Sequence, residues 1–176
     1  MARDIFSRLH LTGTLVADSP LHVGGHGEDV DTDLPLARDG VGNLTIPGTS
    51  LAGALRESGE RLFGEPFINE LWGYQQDDRG HASLVVIEDM VVENSGGVIT
   101  EVRDGVGIDR QRGAAAEHIK YDRAVLPRGT RMRLSITVDV TNRDRRSEAL
   151  AMIAALKHGL EQKKVRLGAA KTRGLG

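Results

Sequence analysis

Residues 131–142, RMRLSITVDVTN, and the stretch RRSEALAMIAALKHGLEQK (145–163) that follows constrain the fold more than any other part of the chain. The first alternates. Leu134, Ile136, Val138 and Val140 fall on one side and Ser135, Thr137 and Asp139 on the other, the period of a strand with one buried face. The second has helical spacing, with Leu150, Ile153, Leu156 and Leu160 as its stripe and Asp144 as the expected N-cap. SRLHLTGTLV (7–16) alternates as well, with Leu9, Leu11 and Leu15 inward. IPGTSLAGALRESGERLFG (46–64) predicts a helix capped by Thr49 or Ser50, with Leu51, Leu55, Leu62 and Phe63 on its apolar side. ASLVVIEDMVVEN (82–94) is β-branched and broken at Glu88-Asp89. The stretch 105–129, GVGIDRQRGAAAEHIKYDRAVLPRG, is glycine-rich and basic without a clear period, and reads as irregular.

Strands separated by helices in this order predict an α+β, ferredoxin-like layer in a single domain over 1–176. Insertions at about 17–47 and 95–130 interrupt it, and loops of that length are usually functional. Such a layer needs a strand after its second helix, whereas the sequence ends RGLG, so the expectation is a domain truncated at its C-terminus or a segment of a longer chain.

Composition narrows the function. Aromatic residues make up 3% of the chain, too few for base stacking on rings to be its main recognition device. The absence of cysteine excludes a disulfide scaffold, thiolate zinc sites and a cysteine nucleophile, and fits a reducing cytoplasm, the expected location. The N-terminus lacks a secretory h-region and no apolar run approaches 18 residues, so no membrane span is expected. The net charge of −2 is unevenly spread. Residues 1–100 hold 6 Lys/Arg against 16 Asp/Glu, and residues 101–176 hold 17 against 9. The later half therefore offers a basic surface suited to a phosphate backbone.

Two stretches carry chemistry. GEDVDTDLPLARD (27–39) has five carboxylates. Asp29, Asp31 and Asp33 have the spacing that opens a calcium loop, but Leu34 stands where that loop needs glycine and Gly40 where it needs the bidentate glutamate. In a loop, alternating aspartates can hold a hard cation such as Mg²⁺, one carboxylate beside RNA can act as a general base or acid, or the stretch is a solvated acidic loop. LGAAKTRGLG (167–176) surrounds Lys171 and Arg173 with glycines, which lets backbone N–H groups approach a phosphate, and equally fits a flexible tail. No two of the six histidines have metal-ligand spacing on a predicted helix, and no nucleophile signature is present.

SPLHVGG, DLPLARDGVGNLTIPGTSLAGALR, GIDRQRGAA with YDRAVLPRGT, and LGAAKTRGLG, in that order over residues 8 to 176, resemble the RAMP superfamily of CRISPR-associated proteins. The resemblance is strongest to the repeated backbone subunit of type III interference complexes. It implies a ferredoxin-like, RRM-related core stacked along a CRISPR guide RNA with copies of itself or related RAMP subunits, beside a large signalling subunit and small subunits. It implies that the 105–129 segment is a thumb that wedges between nucleotides and brings Arg110, Arg112, Lys120 and Arg123 to RNA. The helix opened by GTSLAGALR, with Ser50, and the glycine-rich loop, with Lys171 and Arg173, would hold the guide backbone. Ala52 stands where the family commonly has a cation, so either one phosphate contact is missing or Arg56 takes it over. His22 matches a position near bound RNA. Asp33 matches the aspartate that supports metal-dependent cleavage of target RNA, with Asp31 or Asp29 as alternatives and Asp33 and Asp31 as metal ligands for Mg²⁺ or another divalent cation. Arg38 and the basic second half would supply the cationic wall such a loop needs.

The resemblance also admits a non-cutting structural backbone, or a metal-independent guide-processing endoribonuclease using His22 or His26. Outside the superfamily stands a small-molecule enzyme with an α+β fold.

Overall fold

A computed structural model describes residues 4–25, 32–93 and 100–176, the side chains of 117 and 118 excepted. In chain order its elements are β1 (Ser7–Val16), β2 (Thr45–Ile46), α1 (Gly48–Phe63), α2 (Glu65–Trp72), β3 (Tyr74–Gln76), β4 (Arg79–His81), β5 (Val85–Ile87), β6 (Met90–Val91), β7 (Glu101–Asp109), β8 (Ala114–Val125), β9 (Arg131–Val140) and α3 (Arg145–Glu161), then one 3-10 turn at Lys171–Arg173. The fold is mixed α/β. The chain gathers into two compact units. One comprises Met1–Leu15, Pro47–Met90 and Arg133–Arg166, the other Val16–Ile46, Val91–Met132 and Leu167–Gly176.

The first unit holds a three-stranded sheet in the order β1-β9-β5. β5 runs antiparallel to β9 with Val85 opposite Val138 and Ile87 opposite Ile136. β1 lies on the other edge of β9, where Arg8 Nε donates to Asp139 Oδ1 at 2.7 Å and His10 lies against Thr137 at 3.1 Å, so the two strands also run in opposite directions. Leu134, Ile136, Val138 and Val140 of β9 are all buried, as their alternation predicts. Full burial of each such side chain contributes about 1.5–3 kcal/mol. The break at Glu88-Asp89 separates β5 from β6, also as predicted.

α1 and α3 form where expected but are held differently, and α2 was not expected from the sequence. Neither Thr49 nor Ser50 caps α1. Asp89 does so from a distance in sequence: its Oδ1 accepts the Gly48 N–H at 2.7 Å. Gly48 is required there, because a Cβ would lie 2.1 Å from the Ile87 carbonyl oxygen. At α3 the side chain of Asp144 makes no cap bond; Asn142 Oδ1 accepts the Arg145 N–H at 2.9 Å instead. The buried stripes are shifted in part, with Leu51, Leu55 and Leu156 buried as expected. α3 buries Ala149, Met152, Leu156 and Gly159 and leaves Leu150 exposed. α1 buries Leu51, Leu55, Ser58 and Gly59, and exposes Leu62 and Phe63. Gly59 lets α2 pack closely on α1, since a Cβ there would lie 2.7 Å from Ile68 Cδ1.

In the second unit the 105–129 stretch is not irregular. β7 and β8 pair as an antiparallel hairpin, with Glu101 opposite Val125 and Asp109 opposite Ala114, and a register shift between Val106 and Ile108. Residues 17–44, where described, make isolated bridges rather than strands, including Leu21 with Leu126, Gly24 with Leu36, and Leu34 with Arg123 in parallel. The core of this unit includes Leu21, Val23, Leu36, Val92, Val125, Leu126, Met132 and Leu175. After α3 no strand follows among the described residues. No helix among them is long and apolar enough to cross a membrane.

Candidate nucleic-acid interface

Three sequence motifs that lie far apart in the chain meet in the second unit. Leu21 and Leu126 exchange both backbone hydrogen bonds, at 2.9 and 2.8 Å, which fixes the LHVGG segment against the end of β8. The glycine-rich end docks on the same segment: Ala169 N–H donates to the His22 carbonyl at 2.9 Å, Gly176 N–H to the Pro20 carbonyl at 3.0 Å, and Leu175 is buried. Gly168 makes this possible. Its φ is +85°, and a Cβ would lie 2.3 Å from the His22 carbonyl oxygen. The segment is thus a docked loop carrying a 3-10 turn, with Ala170 in the left-handed region at φ +57°.

His22 is only 4% exposed. Its Nδ1 lies 2.7 Å from the Ala124 carbonyl oxygen, which can only accept, so Nδ1 carries the proton. Burial, reinforced by the nearby positive charge of Arg123 and partly opposed by the Ala124 bond, pushes its pKa below the ordinary value of 6.5. His22 is therefore a neutral internal tie that joins β8 through its ring and the C-terminal loop through its carbonyl.

The hairpin presents two faces of opposite character, because residues paired across strands share a face and successive residues alternate. One face carries Arg103 opposite Arg123 and Gly105 opposite Tyr121. The Tyr121 ring lies over Gly105, where a Cβ would meet ring atoms at 2.5–2.6 Å. The Arg123 guanidinium carbon is 5.7 Å from the Tyr121 ring centroid, a cation–π geometry, and its Nε is buried without a hydrogen-bond partner among the described residues. Arg173 Nη1 donates to the Tyr121 hydroxyl at 2.7 Å and so joins the glycine-rich loop to this face. The other face carries Asp104 opposite Asp122, with the Lys120 ammonium 3.4 Å from Asp104. At the hairpin turn Arg110 and Arg112 are exposed, and Arg112 lies 3.8 Å from Asp109.

Asp33 stands on the free edge of β8. Ala124 N–H donates to the Leu34 carbonyl at 3.1 Å, which lays this segment alongside the strand. Asp33 N–H donates to Asp122 Oδ1 at 2.7 Å, and Asp122 N–H donates to Asp33 Oδ2 at 3.0 Å. Asp33 is exposed, and its Oδ1 takes no part in this exchange. Asp39, by contrast, serves its own turn. Its Oδ1 accepts from the Val41 and Asn43 amides at 3.0 and 2.8 Å, and its Oδ2 from Asn43 Nδ2 at 2.9 Å. The Asn43 side chain is the main cause that holds the Asp39 pKa below the usual carboxylate range. Arg38 Nη1 donates to the Gly42 carbonyl at 2.9 Å in the same turn. Asp29, Asp31 and His26 lie outside the described residues.

The structure thus brings His22, Asp33, Lys120, Arg123, Lys171 and Arg173 into one unit, with Arg110 and Arg112 at the tip of its hairpin. Ser50 and Arg56 belong to the other unit. Arg56 Nε donates to Glu60 at 3.0 Å, Nη1 to the Gly73 carbonyl at 3.2 Å, and Nη2 to Asn69, so it ties α1 to α2, and a phosphate would compete with three internal acceptors. Tyr121 and Asp122 went unmarked in the sequence. Their signal was the alternation of KYDRA, which sends Lys120 and Asp122 to one face and Tyr121 and Arg123 to the other. Among the described residues no three His, Asp or Glu side chains gather as a metal-ligand group.

The chain belongs to the RAMP superfamily, whose sequence model matches residues 14–176. The likeness to type III CRISPR subunits holds in both sequence and fold. The chain is 35% identical over 74 residues to the CRISPR system Cms endoribonuclease Csm3 of Methanocaldococcus jannaschii, a match that covers 40% of this chain and 27% of that protein. The chain therefore spans about a quarter of that relative's length in the match. Its fold is similar to a chain of the type III-B Cmr-beta complex bound to cognate target RNA, with a TM-score of 0.68 at 14% identity over 96% of this chain and 57% of the other. A chain of the apo Cmr-beta complex gives a TM-score of 0.66 at 14% identity over 95% and 94%.

Proposed function

We propose that this chain is a guide-RNA-binding backbone subunit of a type III CRISPR effector complex and cleaves complementary target RNA at Asp33. The observation that carries the reading is the position of Asp33: an exposed carboxylate held by a backbone amide of β8, in the unit whose hairpin bears the arginine-rich face. The sheet order β1-β9-β5 with α1 and α3 supports a ferredoxin-like core.

On this reading Arg103, Arg123, Lys171 and Arg173 bind phosphates, and Arg110 and Arg112 carry the hairpin tip between nucleotides. Cleavage proceeds by in-line attack of a 2′-hydroxyl on its own phosphodiester. The 2′-oxygen–phosphorus bond forms, the bond from phosphorus to the 5′-oxygen breaks, the hydroxyl proton is lost, and the leaving oxygen gains one. Splaying the backbone toward in-line geometry is the hairpin's contribution. The donor chemistry of Asp33 fits a divalent ion, since Mg²⁺ is commonly held by one or two carboxylates and completes its shell with water. When bound, such an ion would stabilise charge on the phosphoryl oxygens. Asp33 would hold it through Oδ1; a part for Asp31 stays a proposal of the sequence.

The alternative of a metal-independent nuclease rests on His22 or His26. Burial of His22, with Nδ1 committed to Ala124, argues against His22 as a base on bound RNA. The test is cleavage of labelled RNA complementary to a loaded guide, by the assembled wild type and Asp33→Ala, with Mg²⁺ and with chelator. Regular cuts lost in both the variant and the chelator are expected. Tight binding without cuts in the wild type would leave a structural backbone subunit, and cuts that survive chelation would favour the metal-independent enzyme.

A further inference from the structure

We propose that Asp122 is the positioning residue of Asp33, and that it acts as a hydrogen-bond acceptor rather than as a charge. The inference rests on the reading of Asp33 as the cleaving residue. Its own observation is the reciprocal pair: Asp33 N–H to Asp122 Oδ1 at 2.7 Å and Asp122 N–H to Asp33 Oδ2 at 3.0 Å. This is the logic of a capping box, in which each side chain satisfies the other residue's amide. The consequence is steric as well as energetic. An exposed aspartate with no tether samples three χ1 wells and a broad χ2. Here the Asp33 backbone is held by Asp122 and its Oδ2 by the Asp122 amide, so both torsions are set and Oδ1 points in one direction.

β8 supplies the rigidity. Asp122 sits inside a strand paired on one edge with β7, through Asp104, and bridged on the other edge to residue 34 through Arg123. The strand thus lends its regular backbone to a carboxylate on a neighbouring loop. Tyr121 and Arg123 flank Asp122 in sequence and face the opposite side of the hairpin, so the basic face and the position of Asp33 are set by the same three residues.

The acceptor role makes a specific demand. Asn at 122 keeps an oxygen where Oδ1 stands and loses the charge, whereas Ala loses both. In the guide-loaded assembly, Asp122→Ala should lower the single-turnover cleavage rate by about ten- to a hundredfold, the range a misplaced reacting group can cost, with target-RNA affinity unchanged. Asp122→Asn should stay within about threefold of wild type. Equal loss in both variants would overturn the acceptor role in favour of charge, and no loss in either would overturn positioning altogether.

A second measurement is independent of cleavage: hydrogen exchange at the Asp33 and Asp122 amides of the full chain. Both amides should be protected in wild type and in Asp122→Asn, and the Asp33 amide should exchange faster in Asp122→Ala. Rapid exchange of the Asp33 amide in wild type would refute the pair itself. A protected pair in a protein whose cleavage survives Asp33→Ala would instead refute the reading of Asp33, and with it any positioning role.

Discussion

Gly168 offers the sharpest test of how the glycine-rich loop is held. Alanine there incurs two costs. The first is the left-handed backbone at φ +85°, worth about 1–2 kcal/mol for a residue with a Cβ. The second is contact: the new Cβ would lie 2.3 Å from the His22 carbonyl oxygen and 3.0 Å from Leu21 Cδ1. The oxygen belongs to a backbone fixed by the Leu21–Leu126 exchange, so the loop has to move by nearly an ångström. That shift removes the Ala169 N–H bond to His22, worth about 1 kcal/mol. The sum is a loss of about 2–3 kcal/mol. Two other glycines separate the terms. Gly129 has φ +88° and nothing within 4 Å, so Gly129→Ala should cost only the backbone part, about 1–2 kcal/mol. Gly13 lies in β1 with open space and an ordinary φ, so Gly13→Ala should be neutral or stabilise by about 0.5–1 kcal/mol. Urea unfolding of the three variants and wild type is the assay. With a slope of about 1–3 kcal/mol per molar, Gly168→Ala should lower the midpoint by about 0.7–3 M. A Gly168→Ala midpoint equal to that of Gly129→Ala would show that the loop is not docked on His22.

His22 should make stability depend on pH. Its folded pKa lies below 6.5, so below about that pH the unfolded chain takes up a proton that the folded chain refuses. Stability is therefore full above about pH 6.5 and lost as pH falls from there toward the folded pKa; the urea midpoint at pH 5.5 against 7.5 should drop more for wild type than for His22→Gln, and equal drops would refute the assignment. The Lys171→Ala, Arg173→Ala double variant should bind guide RNA more weakly and with a shallower dependence on salt concentration, because fewer counterions are released. An unchanged salt slope would place both cations away from phosphate.

Some of this protein could be read from its sequence. β9 declares itself because its alternation is written by apolar residues with one buried face, β1 by a similar alternation that is half-buried, α3 by the helical spacing of its apolar residues, and the break between β5 and β6 by Glu88-Asp89. The family, too, was legible in four motifs whose order survives along the chain. The tertiary structure decided the rest wherever a partner lies far along the chain or a pattern carries no apolar signal. Asp89 caps α1 from 41 residues away, a distance no local capping rule covers. The stripe of α3 runs through Ala149, Met152, Leu156 and Gly159 rather than Leu150, because the neighbouring elements and not the local spacing decide which face is covered. β7 and β8 looked irregular because Val102, Val106, Ile108 and Ile119 remain exposed and charge occupies much of the rest, leaving no alternation of apolar and polar residues to detect. The pairing of Asp33 with Asp122 depends on two backbone amides 89 residues apart, and only the folded chain brings them within hydrogen-bond reach.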